Sequence, residues 1–439
     1  MNKTSFSLFR LTVVVLCIFT LAGVSGLQRT SALAEKPITL WTKLNAASPQ
    51  TSQDQWLADT LKAYTKDTGN EATNVVLPYD QINSKINLAV QSKGDVPDLA
   101  MIDGQYLAFF VHNGTLMDLT DFVKSAPWFK DLTPSSIAAC TAPDGKIMCV
   151  PGVQTASFVY YWKSMYPNGF PATTDDLLKE AARLKKEGKY AVTFKGSENF
   201  SLEVCYFSLM HSAGAAFNDE NGKAAWANPG TVKVIEFVRT LFKEKYAPEV
   251  ALATGFDYEN AFKNADAGAL LAGSWSYAFL NPLTAPDGTK FDNGPDSVSN
   301  AAKAGKLGYA PPLVFPGGKP ASQANITGWA IPVGSQNVEG AKAFINYLMQ
   351  TKVDAAFGVG FGAMPAMLSA RAEDVFKGDY WKTVAEIQEK YSVPLPFLVD
   401  YDKGMLALAD TFTKLVSQPN LDPMKELQAA QDNYNNSLE

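Results

Sequence analysis

The stretch GDVPDLAMIDGQYLAFFVHNGTLMDLTDF, residues 94–122, decides the fold class. Its Leu99–Ile102 run is apolar, short enough for a buried strand, and stops at Asp103-Gly104. Leu107, Phe110 and Val111 follow at helical spacing, Gly114 ends that helix, and Leu116 and Leu119 return to the interior. Such a strand–loop–helix step leaves Asp103 and Gln105 at the carboxyl end of a strand, where open α/β sheets bind ligands. Asp103, lying just before Gly104-Gln105, also fits a helix N-cap, and the two roles are compatible.

Outward from this stretch the same alternation continues, which predicts an α/β protein with covered sheets. Ile38–Trp41 reads as a strand, followed by a helix with Trp56, Leu57, Leu61 and Tyr64 on one face and a stop at Gly69-Asn70. Val75–Leu77 is the next strand, and a helix from about Asp80 to Ser92 leads into Leu99. Val150-Pro151-Gly152 reads as a crossover into a second α/β series that begins with the strand Ser157–Trp162. There Thr173 and Asp176 cap a helix that ends near Gly188, Tyr190–Phe194 is a strand, and Asn228-Pro229 opens another helix. Gly268–Ala272 reads as a strand broken at Gly273-Ser274-Trp275, and 281–306 as loop. Gly308–Pro312 suggests a second crossover, Ile326–Val333 a strand, Val338–Met349 a helix and Gly358–Gly362 a third crossover. A final helix, about Asp422–Tyr434, is expected to pack on one lobe, and there is no internal repeat.

With 439 residues, 46% of them hydrophobic, the chain has ample material for a core and suggests two domains. The first 34 residues read as a cleaved secretory signal: Lys3 and Arg10 precede an apolar run from Leu11 to Val24, and Ala32-Leu33-Ala34 suits a signal peptidase. An uncleaved anchor is the alternative, but the run is shorter than the roughly 20 apolar residues a span requires. Cys17 lies within the apolar run rather than at its end, unlike a lipid-modified cysteine. Loss of the signal makes a net charge of -6 more negative, which argues against nucleic acid as a partner. Export places Cys140 and Cys149, on either side of the turn Pro143-Asp144-Gly145, in an oxidising compartment and predicts a disulfide between them. Neither histidine is near them, so zinc is not expected, and Cys205 reads as a buried small hydrophobe.

Several motifs in this order resemble the extracellular solute-binding proteins of ABC importers, in the large sugar-binding group. Besides Pro97-Asp98 and the Gly-x-Leu-x-Asp-Leu at Gly114, Pro143-Asp144-Gly145-Lys146 to Pro151 is similar to the family's entry to its second lobe. Tyr160-Tyr161 and Lys163 are similar to its Tyr-Tyr-Asn-Lys, with Trp162 in place of Asn. Pro171–Leu177, Gly273-Ser274-Trp275 and Gly328–Glu339 match further segments. The resemblance implies a two-lobe periplasmic-binding-protein-like fold with a hinge of crossover strands. Lobe 1 would take 35–150 and 308–358, and lobe 2 would take 151–307 and 359–439. It also implies an exported monomer that binds without turnover and passes its ligand to permease subunits in the membrane.

A sugar presents hydroxyls at its edge and C–H groups on its faces, so its cleft needs flat aromatic platforms and polar side chains aimed edgewise. Trp275 and Trp329, each beside a small residue (Ser274, Gly328) at a strand end, are the expected platforms, with core packing as the alternative for each. Tyr401 falls near the family's late aromatic contact. Asp103 and Gln105, then Lys43 and Gln154, are the expected polar contacts, since charged groups bond neutral hydroxyls strongly. Trp41 is expected in the core. A secreted glycosidase would need two carboxylates across the sugar bond, which the sequence neither supplies as a motif nor forbids. No Gly-x-Ser-x-Gly or His-Glu-x-x-His is present, and His112 and His211 are the only histidines. A ferric carrier using Tyr160-Tyr161 is disfavoured because adjacent strand residues face opposite ways. The expected ligand is a mono- or oligosaccharide, with a polyol or sugar phosphate as runner-up and no cofactor.

Overall fold

The computed structural model describes residues 36–438 except 80, 199–201, 324, 394, 397 and 399, with the backbone alone at 203, 204 and 295. The expected signal segment and the expected helix start at Asp80 lie outside the described residues. Local chemistry sets the first helix, Ser52–Thr68. The Thr51 hydroxyl accepts the Asp54 N–H, the Asp54 carboxylate accepts the Thr51 N–H in return, and Gly69 at φ 76° closes the far end.

The first lobe is a six-stranded sheet. Its strands in chain order are β1 (Ile38–Thr42), β2 (Ala72–Val76), β3 (Leu99–Asp103) and β4 (Val150–Gln154), completed later by β12 and β13. The second lobe holds β5 (Ser157–Trp162), β6 (Tyr190–Phe194) and β7 (Ala267–Gly273). A small hairpin follows, β8 (Leu283–Thr284) with β9 (Lys290–Phe291), and then β10 (Leu307–Ala310). The last strands are β11 (Ser322–Gln323), β12 (Ile326–Ala330), β13 (Met364–Pro365) and β14 (Ser392–Val393). The first sheet runs β13-β4-β12-β3-β1-β2 and the second β10-β5-β7-β6. Strands β1, β2 and β3 are parallel, whereas β12 is antiparallel to both β3 and β4. Every residue of β3, β4, β7 and β12 is buried, as expected for sheets covered on both faces.

Three segments run between the lobes, and they are tied to one another. The Thr155 N–H donates to the Asn325 carbonyl at 2.9 Å, and the Ser157 N–H donates to Ser322 Oγ at 2.8 Å. Strand β11 pairs in parallel with β14, so the second and third crossings form a two-stranded ribbon. Two expectations are corrected here. Gly358–Gly362 is not a crossover but the end of the Thr351–Phe361 helix, whose inward-facing Phe357 and Phe361 bury it in the first lobe. Residues 281–306 are not structureless, because they contain the β8–β9 hairpin and the Ser297–Lys303 helix. Both elements are too short to leave a period in the sequence. Leu307–Ala310 lies in the second sheet and Met364–Pro365 in the first.

The last helix, Pro423–Asn436, packs on the second lobe through Tyr434 against Trp226 and through Asn435 against the backbone of Ala224. Cys140 and Cys149 form a disulfide across nine positions, while Cys205 is a buried free thiol that donates to the Leu271 carbonyl. Replacing both bonded cysteines by alanine is expected to cost about 2–3 kcal/mol, the loop-closure entropy of so short a ring. Urea midpoints of the oxidised parent and the double variant measure this, and equal midpoints would contradict it.

Candidate functional site

The carboxyl ends of β1 and β3 and the amino end of β12 face a cavity of about 450 Å³, whose other wall is supplied by the second lobe. On the first-lobe side, Lys43 follows β1 and Asp103 ends β3. Lys43 Nζ donates to Asp103 Oδ1 at 2.9 Å and Oδ2 at 2.6 Å, and Thr327 Oγ1 donates to Oδ1 at 2.6 Å. Asp103 makes no side-chain cap, so its carboxylate is committed to this ion pair rather than to the helix that follows. Lys43 Nζ also lies 4.9 Å from the centre of the Tyr79 ring, which lines the same cavity. The polar floor is completed by Gln53, Thr155, Gln323 and Asn325.

The second-lobe wall is an almost continuous run, Phe256–Asn260 with Lys263, together with Trp275 and Phe279. Trp275 follows β7 and lies against its own turn. A β-carbon on Gly273 would come within 2.3 Å of the indole and 2.5 Å of the Ala156 carbonyl, so only glycine permits this placement. The run is fastened from below by the end of β6 and the residues after it. Gly196 N–H donates to the Ala251 carbonyl at 2.8 Å and Ser197 Oγ to the Ala253 carbonyl at 2.8 Å. Lys195, only 1% exposed, donates to the carbonyls of Ala253 and Gly255 and pairs with Glu198. The loop it holds presents the Phe256 ring, 61% exposed.

Glu259 is buried in the same wall, accepts a hydrogen bond from Ser276 Oγ at 2.8 Å, and has its pKa pushed by burial up to about 7. A carboxyl raised in the folded state binds its proton between about pH 4.5 and 7, where the unfolded chain has released it. Its contribution is therefore fully present below about pH 4.5 and lost as pH rises towards 7. The expected loss is on the order of 2–3 kcal/mol, and Glu259→Gln should remove it. Urea midpoints of parent and variant across pH 4.5–7.5 test this, and parallel pH profiles would refute it.

The structure brings three of the expected residues into the cavity: Lys43, Asp103 and Trp275. It places the other five in its supports or in the core. Gln105 is buried behind the floor, its Nε2 donating to Tyr79 Oη at 3.2 Å and its N–H to Asn325 Oδ1 at 3.3 Å. Gln154 is buried in β4, where its carbonyl accepts from Gln388 and its amide oxygen from Ser135. Trp329 is not a platform: it is fully buried beside Trp56, Phe344 and Phe357, because the indole of a central strand points into the helix layer. Gly328 serves packing, since a β-carbon there would meet the Val150 carbonyl at 2.6 Å. Tyr401 is fully buried edge-on to Tyr106. Trp41, expected in the core, is partly buried against it. Tyr160 and Tyr161 face opposite sides, the first against Phe158 and Tyr309, the second against Tyr166 and Phe170. Burial raises the pKa of both phenols, away from the phenolate form an iron site needs.

Sequence reasoning missed the 256–263 wall, Tyr79 and Thr327. Phe256 directly after Gly255 and before the Tyr258–Lys263 helix was the one signal the sequence offered for the wall. Tyr79 and Thr327 sit at a strand sequel and a strand interior that look like any other.

The model of the bacterial extracellular solute-binding protein family matches residues 59–385. This chain belongs to that family. As an extracellular solute-binding protein, it works outside the cell membrane, and no described helix is long and apolar enough to cross one. It is 22% identical over 246 residues to the arabinooligosaccharide-binding protein of Bacillus subtilis, and the match covers 54% of each chain. The chain thus spans about half the length of that curated relative. Its fold is that of the GacH receptor of Streptomyces glaucescens GLA.O, solved unliganded and with acarbose. The two superpose with a TM-score of 0.77 at 18% identity, over 91% of this chain and 97% of the receptor. An ABC transporter solute-binding protein from Agrobacterium radiobacter K84, solved with ribitol, superposes with a TM-score of 0.76 at 21% identity, over 92% and 99%. The expected two-lobe α/β architecture is therefore the fold of this chain.

Proposed function

We propose that this protein captures a neutral oligosaccharide between its lobes, as the monomeric receptor subunit of an ABC importer, and delivers it unchanged to permease subunits. The observation that carries this reading is the composition of the cavity. A neutralised Lys43–Asp103 pair and a ring of amides and hydroxyls lie on one side, and the apolar faces of Trp275 and Phe256 on the other. Such a surface matches a sugar, whose edge bonds to polar groups while its face stacks. The relative named for arabino-oligosaccharides and the similar structures solved with acarbose and with ribitol support the same ligand chemistry. Binding without hydrolysis is favoured by the family match, whose members are solute-binding proteins. We assign the crossings at Gln154–Ser157 and at β11 and β14 as the hinge on which the lobes close.

Calorimetric titration of the mature protein with arabino-oligosaccharides, maltodextrins, acarbose and ribitol tests the reading. At least one should bind, and Trp275→Ala should weaken it about tenfold, in line with the 0.5–1.5 kcal/mol of an aromatic contact beyond its burial. Failure of every sugar and polyol to bind, or steady release of cleaved sugar by the purified protein, would overturn it.

A further inference from the structure

A second cavity opens beside the ligand cleft. It is a groove of about 1050 Å³ between the Ser52–Thr68 helix and the Thr351–Phe361 helix, with Phe279, Asn281 and Glu373–Val375 on its remaining sides. The groove and the cleft share one ring. Phe279 lines both cavities, whereas Trp275, four residues earlier in the 3-10 turn that Phe279 caps, lines the cleft alone. Phe279 is 38% exposed and Val375 is 46% exposed, so two apolar faces stand open in the groove. Exposed Gln55, Asp59 and Lys352 line the same groove. Apolar faces with polar groups beside them are the combination that the cleft also offers.

We propose that this groove is an extension of the ligand site. The chain of a bound oligosaccharide leaves the cleft at Trp275, passes over Phe279 and continues between the two helices. This inference rests on the sugar-capturing reading above and adds the length and course of the ligand. A mono- or disaccharide would lie within the cleft and leave the larger cavity unused. A chain of four or more units would bury its far end against Phe279 and Val375. The continuity through Phe279 is what joins the two cavities into one path, and it sets the order in which sugar units meet the aromatic rings.

Two variants outside the cleft test the extension. Ala356 is exposed on the Thr351–Phe361 helix and lines the groove only, so Ala356→Trp fills it without touching the cleft. Val375→Asp places a charge on its open apolar wall. Affinities of the malto- and arabino-oligosaccharide series, one to six units, are measured calorimetrically for the parent and both variants, with melting temperatures as the check on folding. The parent should bind tetra- to hexasaccharides at least tenfold more tightly than disaccharides. Each variant should lose that gain while its disaccharide affinity stays within twofold of the parent. Equal affinity across all lengths, or variants that keep the long-chain gain, would overturn the groove and leave sugar capture standing. Absence of binding by every member of both series and by acarbose and ribitol would overturn both readings.

Discussion

Trp329→Ala is expected to cost about 3–5 kcal/mol of folding stability, as deletion of a large buried aromatic does, and to leave ligand affinity unchanged in the protein that remains folded. The indole is fully buried, and its neighbours Trp56, Phe344 and Phe357 form one aromatic cluster. Its Nε1 finds no acceptor among the described residues. Trp329→Phe keeps a ring in the cluster and removes that unsatisfied donor, so it should cost far less than alanine. Chemical denaturation of both variants, with titration below the transition, decides the matter. A variant of normal stability with weakened binding would return Trp329 to the site.

Lys43→Met should cost about 3 kcal/mol of stability and abolish measurable sugar binding. Asp103 is 7% exposed and would keep only Thr327 as a partner, which leaves a buried carboxylate without its counter-ion. Breaking a buried pair from one side costs roughly 3–5 kcal/mol. The low end applies here because the Lys43 side chain retains 17% exposure at the cleft. The double variant Lys43→Met/Asp103→Asn should recover much of the stability and none of the binding, since it removes the stranded charge together with the polar floor. If both variants bound sugar like the parent, the pair would be a strut of the first lobe and nothing more.

The contrast between Trp275 and Trp329 shows how far the sequence could be read. Both tryptophans follow a small residue near a strand end, and that local pattern is the same for a platform and for a core residue. What separates them is the lobe context. Trp275 lies two residues past the end of β7, on a turn that Gly273 leaves open, while Trp329 is inside β12 with β3 and β4 on either side. The fold was legible because strand and helix periods are local, as in β3 and the capped Ser52–Thr68 helix. Lys43 and Asp103 were legible because a strand's carboxyl end is a local feature too. Their mutual bond was not, because it joins residues sixty positions apart. The wall at 256–263 escaped for a related reason: it is held by Lys195, and nothing in a lone lysine at a strand end announces that its ammonium group is buried under a distant loop.

That anchoring has a consequence for how such a receptor changes its taste. The groups that fasten the wall, at Gly196, Ser197 and Lys195, grip it by main-chain carbonyls at Ala251, Ala253 and Gly255, and the Lys195 ammonium also lies 5.8 Å from the centre of the Phe256 ring. The side chains that meet the ligand begin immediately afterwards, at Phe256. Most of the mounting is thereby independent of which side chains the wall carries beyond Phe256. A short cassette can be rewritten by mutation, or exchanged with that of a relative, while both sheets and the hinge stay as they are.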